Sequence, residues 1–182
     1  MNCKNLLLTH LDSCGLGLLR KTVALVPFNI SWPEAFSFLK QQIANIIPTN
    51  ISIEHIGSTA LPNCSAKPIL DILIWIERQG DEDSLIIGLE QLGFMSRGEY
   101  GFPGRHYFVL RSEDQSTEYV HIHAFLKGHQ EAQKLIDFRN RLLASPELVS
   151  SYQKLKQGLK ESGFSREEYT PAKGDFIQKI LE

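Results

Sequence analysis

Asp71 stands in the middle of an apolar run from Ile69 to Ile76. A carboxylate there is expensive to bury unless it is paired, hydrogen-bonded or bound to a metal. Upstream, an apolar stretch ends in Ile56-Gly57-Ser58-Thr59. Gly57 lets the backbone approach a ligand closely, as glycines do in phosphate loops, and Ser58 adds a hydroxyl and an N–H. Local physics leaves two accounts of equal weight. One is an anion-binding turn with its acid; the other is a tight turn beside an aspartate that accepts backbone N–H groups. Lys67 precedes Pro68, which holds it in extended backbone, where its charge would neutralise Asp71 or a phosphate. Arg105 follows Gly101 and Gly104 in a loop, and its planar fork suits a phosphate or carboxylate unless it is simply solvated. His121 and His123 are two apart in a strand-like segment, so both point to one face. Tyr169 and Lys173 are four apart, so a helix would put them on one face and let them close a pocket from the C-terminal side.

These residues need elements to position them. Val23 to Phe28 reads as a first strand. Ser31-Trp32-Pro33-Glu34 reads as a capping box with proline in the first turn, followed by a helix to Ile47 whose Phe36, Leu39 and Ile43 recur at helical spacing. Ile51 to Ile56 alternates as a strand, Ile69 to Ile76 reads as a central one, and Asp81 to Leu92 as a helix capped by Gly93. Phe94 to Ser96, His106 to Leu110 and Tyr119 to Phe125 complete the strands. From about His129 the pattern turns helical, with three helices marked by Leu135–Leu143, Leu148–Leu159 and Phe176–Leu181. Trp32, Phe36, Phe38, Phe138 and Tyr152 suit a packed core better than a cofactor box. The plan is α+β: a mixed β-sheet with flanking helices and a C-terminal helical layer.

The 182 residues suit one domain. Residues 1–20 have no clean period and read as an N-terminal extension. The domain then spans 21–182, with a sheet part to about residue 127 and a helical part from about 128. Hydrophobic residues at 42% and charged residues at 22% exclude wholesale disorder, collagen and a coiled-coil rod. No apolar run approaches the ~18 residues of a membrane span. A net charge of −2 argues against dedicated duplex-DNA binding, but a small anionic ligand needs only a local cluster of charge. Cys3, Cys14 and Cys64 form no CxxC pair, and the N-terminus lacks the features of a secretory signal, so the expected setting is cytoplasmic, with reduced thiols.

The Gly57-Ser58 turn followed by Asp71-Ile72 resembles the signature of the nucleotidyltransferase superfamily (the polymerase-beta-like fold). The fuller resemblance is to the bacterial GrpB family and covers nearly all of residues 22–181. It rests on Trp32-Pro33, Glu54-His55-Ile56-Gly57-Ser58-Thr59-Ala60 with Pro62, Lys67-Pro68-Ile69-Leu70-Asp71, Arg105, His121-Ile122-His123, Phe138-Arg139, Leu142, Tyr152, Leu155-Lys156, Tyr169-Thr170 and Ala172-Lys173. Asn63-Cys64 departs from the family pattern in a loop. The resemblance implies a nucleotidyltransferase-like fold whose ligand is a nucleotide or another phosphorylated metabolite. Asp71 would be the catalytic, metal-holding acid. Gly57, Ser58, Thr59, Lys67, Arg105, Tyr169 and Lys173 would hold phosphates. Active superfamily members carry a second acid two residues after the first, where this chain has Leu73, so the acidic motif is degenerate. The strand of His121 and His123 supplies the third acid of active members. With Asp71 those histidines form a set suited to Zn²⁺ or Mn²⁺ more than Mg²⁺, or they donate hydrogen bonds to Asp71 or an anion, or they are a structural pair. The expectation is a protein that binds a nucleotide or phosphorylated small molecule, with metal-dependent nucleotidyl transfer as the reaction the fold implies if it is a catalyst. Its alternatives are a non-catalytic binding module on the same pocket, a His/Asp metal-dependent hydrolase and a protein-interaction module. Glu54 and Glu118 are the further acids that would complete a metal site.

Overall fold

Continuous apolar stretches become inner strands because both of their faces must be covered. The computed structural model describes residues 2–48 and 50–182. The strands are β1 (Leu18–Leu19), β2 (Ile51–Ile56), β3 (Leu70–Ile76), β4 (Met95–Ser96), β5 (His106–Arg111) and β6 (Thr117–Leu126). They form one sheet in the order β2-β3-β6-β5-β4, with β1 paired to β6. The β3–β6 pair is parallel and the others are antiparallel, so the sheet is mixed.

The helices are α1 (Cys3–Ser13), α2 (Trp32–Ile46), α3 (Glu82–Gln91), α4 (Gln130–Ala144), α5 (Pro146–Glu161), α6 (Arg166–Tyr169) and α7 (Gly174–Leu181). One face of the sheet, carrying Leu70, Ile72, Ile74, Ile76, Val120, Ile122 and Phe108, packs against α1, α2 and α3 in the main core. Leu39 and Ile43 of α2 are fully buried there, each contributing about 1.5–3 kcal/mol. Phe36 packs at the margin of this core and stacks on His55, with ring centroids 4.8 Å apart. On the opposite face, α4 covers only one half: Leu73 and Phe125 are buried with Ala132, and Leu135 and Ile136 pack against them. The α4, α5 and α7 helices share a separate core around Leu142, Tyr152 and Ile180.

Three local expectations give way. Val23–Phe28 is not a strand: it makes a single bridge, Val26 to Ala66, and no sheet edge lies alongside the rest of it. Ser31 makes no capping bond from its side chain. Asn29 replaces it, its Oδ1 accepting from the Ser31 N–H at 2.9 Å. The N-terminal segment is no loose extension, since Leu7, Leu8 and Leu11 of α1 are buried in the main core and β1 extends the sheet.

Candidate functional site

Pairing register puts the chemistry in rows. Asp71 of β3 lies beside His121 of β6, which lies beside Val109 of β5. In the next row, Leu73 lies beside His123, which lies beside Tyr107. Side chains alternate along a strand, so Asp71, His121, His123 and Tyr107 share the face that α4 leaves open. Glu118 joins them by a different device. Strict alternation would place residue 118 opposite residue 121, but a β-bulge at Leu110/Arg111 leaves Tyr119 as the extra residue. The bulge turns Tyr119 into the main core and brings the Glu118 carboxylate within 3.5 Å of the His121 Nε2.

His121 is held between two carboxylates: its Nδ1 is 3.3 Å from the Asp71 Oδ1 and its Nε2 faces Glu118. Neither oxygen donates, so the ring satisfies both as an imidazolium. Burial alone would lower its pKa, but the hydrogen bonds to Asp71 and Glu118 raise it. His123 differs. Its Nδ1 lies 3.3 Å from the Arg105 guanidinium and must accept, which leaves the proton on Nε2, 3.9 Å from the Asp71 Oδ1. Burial lowers its pKa, assisted by Arg105 and His121 against Asp71. For Asp71, burial raises the pKa, but hydrogen bonding to both histidines outweighs this and holds the carboxyl well below the carboxylate range. Burial raises the pKa of Glu118 too, yet His121, Arg166 and Arg111 bring it down to about 2.

Gly57 explains how Asp71 fits. It has φ +71°, and a Cβ at that position would lie 2.6 Å from the Asp71 Oδ2. The close approach anticipated for a ligand is therefore made by the aspartate itself. Ser58 opens a short 3-10 turn, Ser58–Ala60, and lines the cavity. Thr59 is buried with its Oγ1 2.9 Å from the His55 Nε2, so its hydroxyl serves the turn. Arg139 fastens β2 beneath that turn by donating to the Glu54 carboxylate and the His55 carbonyl, both at 2.8 Å. Arg105 is buried rather than solvated. It donates to the carbonyls of Glu99 and Tyr100 and packs over Phe102 and Tyr107, so most of its fork is spent within its own loop.

A cavity of about 610 Å³ lies over this cluster. Apart from Gly57, which backs Asp71, every residue expected at the site lines it: Ser58, Thr59, Lys67, Asp71, Arg105, His121, His123, Tyr169 and Lys173. Tyr169 and Lys173 do meet, with the ammonium 5.1 Å from the ring centroid, but they belong to α6 and a following 3-10 turn rather than one helix. The Lys67 Nζ lies 4.1 Å from the same ring. Sequence reasoning missed Arg111, Arg166 and Tyr107. Arg111 donates to Glu118 at 2.8 Å, and Arg166 pairs with the same carboxylate. The alternation of β5 was the available signal for Tyr107 and Arg111; Arg166 reaches the sheet from 48 residues away and carried none.

As arranged, Asp71, His121 and His123 offer a metal no shared set of lone pairs. Both histidines present N–H groups to Asp71, and the second ring nitrogen of each is engaged elsewhere. Among the described residues no group of three or more His, Cys, Asp or Glu is disposed to hold a metal ion. Leu73, two residues after Asp71, offers no room for a further acid, since it is fully buried beneath α4.

The GrpB protein family matches residues 22–182. Among curated relatives, the UPF0157 protein YqkA of Bacillus subtilis is 30% identical over 165 residues, covering 90% of this chain and 47% of YqkA, so the chain spans about half of that protein's length. The glutamate-rich protein GrpB of Alkalihalophilus pseudofirmus is 29% identical, with 91% of this chain and 98% of that one covered. The crystal structure of the conserved protein GrpB from Enterococcus faecalis is 32% identical, with a TM-score of 0.76 over 86% of this chain and 94% of that one. Sequence and overall fold agree, and the chain belongs to the GrpB family.

Proposed function

We propose that the chain binds a phosphorylated small molecule, a nucleotide or phosphorylated metabolite, in the cavity over Asp71, His121 and His123. One observation carries this reading. In a chain of net charge −2, nine lysines and arginines line the cavity against three carboxylates, Asp71, Glu118 and Glu167. Glu118 and Asp71 are already neutralised by arginines and histidines, and Lys67 and Lys173 line the same space as Ser58. Such clustered positive charge in a cleft attracts a compact polyanion. Nucleotidyl transfer is the reaction the superfamily resemblance implies. The buried Leu73 favours binding over two-metal transfer, because the second carboxylate of that mechanism has no place to stand.

Isothermal titration at low ionic strength with tripolyphosphate, a nucleoside triphosphate and a sugar phosphate tests this. Saturable binding to at least one is expected, weakened about fivefold or more by Lys173→Gln and by added salt. Absence of binding to all three, with the protein folded, would overturn it. Turnover of a nucleoside triphosphate with Mg²⁺ present would promote transfer over binding.

A further inference from the structure

Lys67, a cavity lysine four residues before Asp71, stands over the buried Tyr169 ring. No carboxylate among the described residues comes within ion-pairing distance of its Nζ. Its nearest aromatic partner is shared: the ammoniums of Lys67 and Lys173 lie 4.1 and 5.1 Å from the Tyr169 ring centroid. The ring favours a cation, but two cations at one ring repel each other. The groups facing Lys67 are Lys173 and Arg166 on the C-terminal side and Asp71 and Glu118 on the sheet, and both acids already hold cationic partners. Burial first, then Lys173 and Arg166, bring the Lys67 pKa down to about 8. A lysine desolvated beside other cations exposes a nucleophilic lone pair near neutral pH far more often than an ordinary lysine does.

We propose that Lys67 is a reactive amine that forms an imine with the carbonyl carbon of a phosphorylated aldehyde or ketone bound in the cavity. The Nζ lone pair attacks the carbonyl carbon, the carbonyl oxygen departs as water after taking up two protons, and a C=N bond remains. The neighbouring Lys173 and the Arg166 side chain hold the phosphate. This rests on the anion-binding reading of the same cavity and narrows its ligand to a phosphorylated carbonyl compound.

Pyridoxal phosphate followed by sodium borohydride provides the test. Hydride adds to the imine carbon and fixes the adduct as a secondary amine, located by peptide mass spectrometry. At pH 7 Lys67 is expected to label about tenfold or more faster than the surface lysines. Tripolyphosphate should protect it. Lys67→Arg keeps the charge and should lose the adduct while leaving the circular dichroism unchanged. Lys173→Gln should move the labelling midpoint of Lys67 to higher pH, because a repelling cation is gone. Labelling spread evenly over surface lysines, or falling on Lys173 alone, would overturn the inference, while protection of that label by tripolyphosphate would leave the anion site standing. Fast labelling of Lys67 by both pyridoxal and pyridoxal phosphate, without protection by tripolyphosphate, would uphold the amine and remove the anion site.

Discussion

Two residues on the same face of β3, Asp71 and Leu73, meet opposite surroundings. Asp71 opens onto a cationic cavity with two histidines and a glycine packed to its shape. Leu73, two positions on, is sealed beneath α4 with Ile56, Phe125 and Ala132. The difference lies in the cover, since strand, pleat and sheet face are shared. Where α4 crosses the sheet the surface must be apolar; where it stops, ionisable groups can persist if they neutralise one another. The site is the uncovered remainder of a face whose other half is core.

The sharpest way to break this contrast is Leu73→Asp, which places an acid two residues after Asp71. It should destabilise the chain by about 4 kcal/mol or more, because a carboxylate would be buried with no partner. A urea midpoint near that of the wild type would show that α4 can lift away. Next in size is Gly57→Ala. The left-handed φ costs about 1–3 kcal/mol, and the added Cβ would push Asp71 from its place. A lowered melting temperature together with weaker tripolyphosphate binding is expected; loss of stability alone would separate the turn from the cavity.

A pH effect of about 2–3 kcal/mol should come from His55, which lies at the edge of the covered side, stacked on Phe36. Burial lowers its pKa to about 4, with the Arg139 cation adding to this against Asp71. Between pH 6.5 and 4 the unfolded chain binds the extra proton, so this contribution is complete above 6.5 and declines as pH falls through the window. Urea unfolding of wild type and His55→Gln at pH 7 and pH 4.5 should show the flatter dependence in the variant. The smallest expected change is in Asp71→Asn. If cations alone hold the ligand, removing this negative charge should tighten tripolyphosphate binding about threefold and lower the His121 pKa, readable by NMR titration. Weaker binding that requires Mn²⁺ or Zn²⁺ would restore Asp71 as a metal-holding acid.

Much of this was legible in the residues. The alternation of Ile51–Ile56, the apolar run around Asp71 and the helical spacing of Leu39 and Ile43 are imposed by burial, and burial is what such patterns encode. The capping of α2 was not, because Asn29 and Ser31 both suit that role and only backbone geometry chooses between them. Val23–Phe28 has strand-like composition, but a strand exists only against a neighbour. The N-terminal helix escaped notice because Leu6 to Leu8 are consecutive and blur the period. At the site, the shared face of His121 and His123 follows from a period of two, whereas Glu118 enters through a bulge that breaks that period. Contacts such as Arg166 to Glu118 arise from chain closure over long separations and leave no local trace.

The cavity's walls come from widely separated stretches of the chain: Ser58 after β2, Asp71 on β3, His121 on β6, and Tyr169 and Lys173 near the C-terminal end. No fragment of the chain holds the assembled pocket, so anything that binds there recognises the complete fold and is released when any one wall opens. Ligand affinity is therefore linked to global unfolding, and a compound present at a hundredfold excess over its Kd should add about 2.7 kcal/mol to stability. For a chain of this size that corresponds to a rise of roughly 5–10 °C in melting temperature, large enough for unlabelled metabolites to be sorted by melting curves alone.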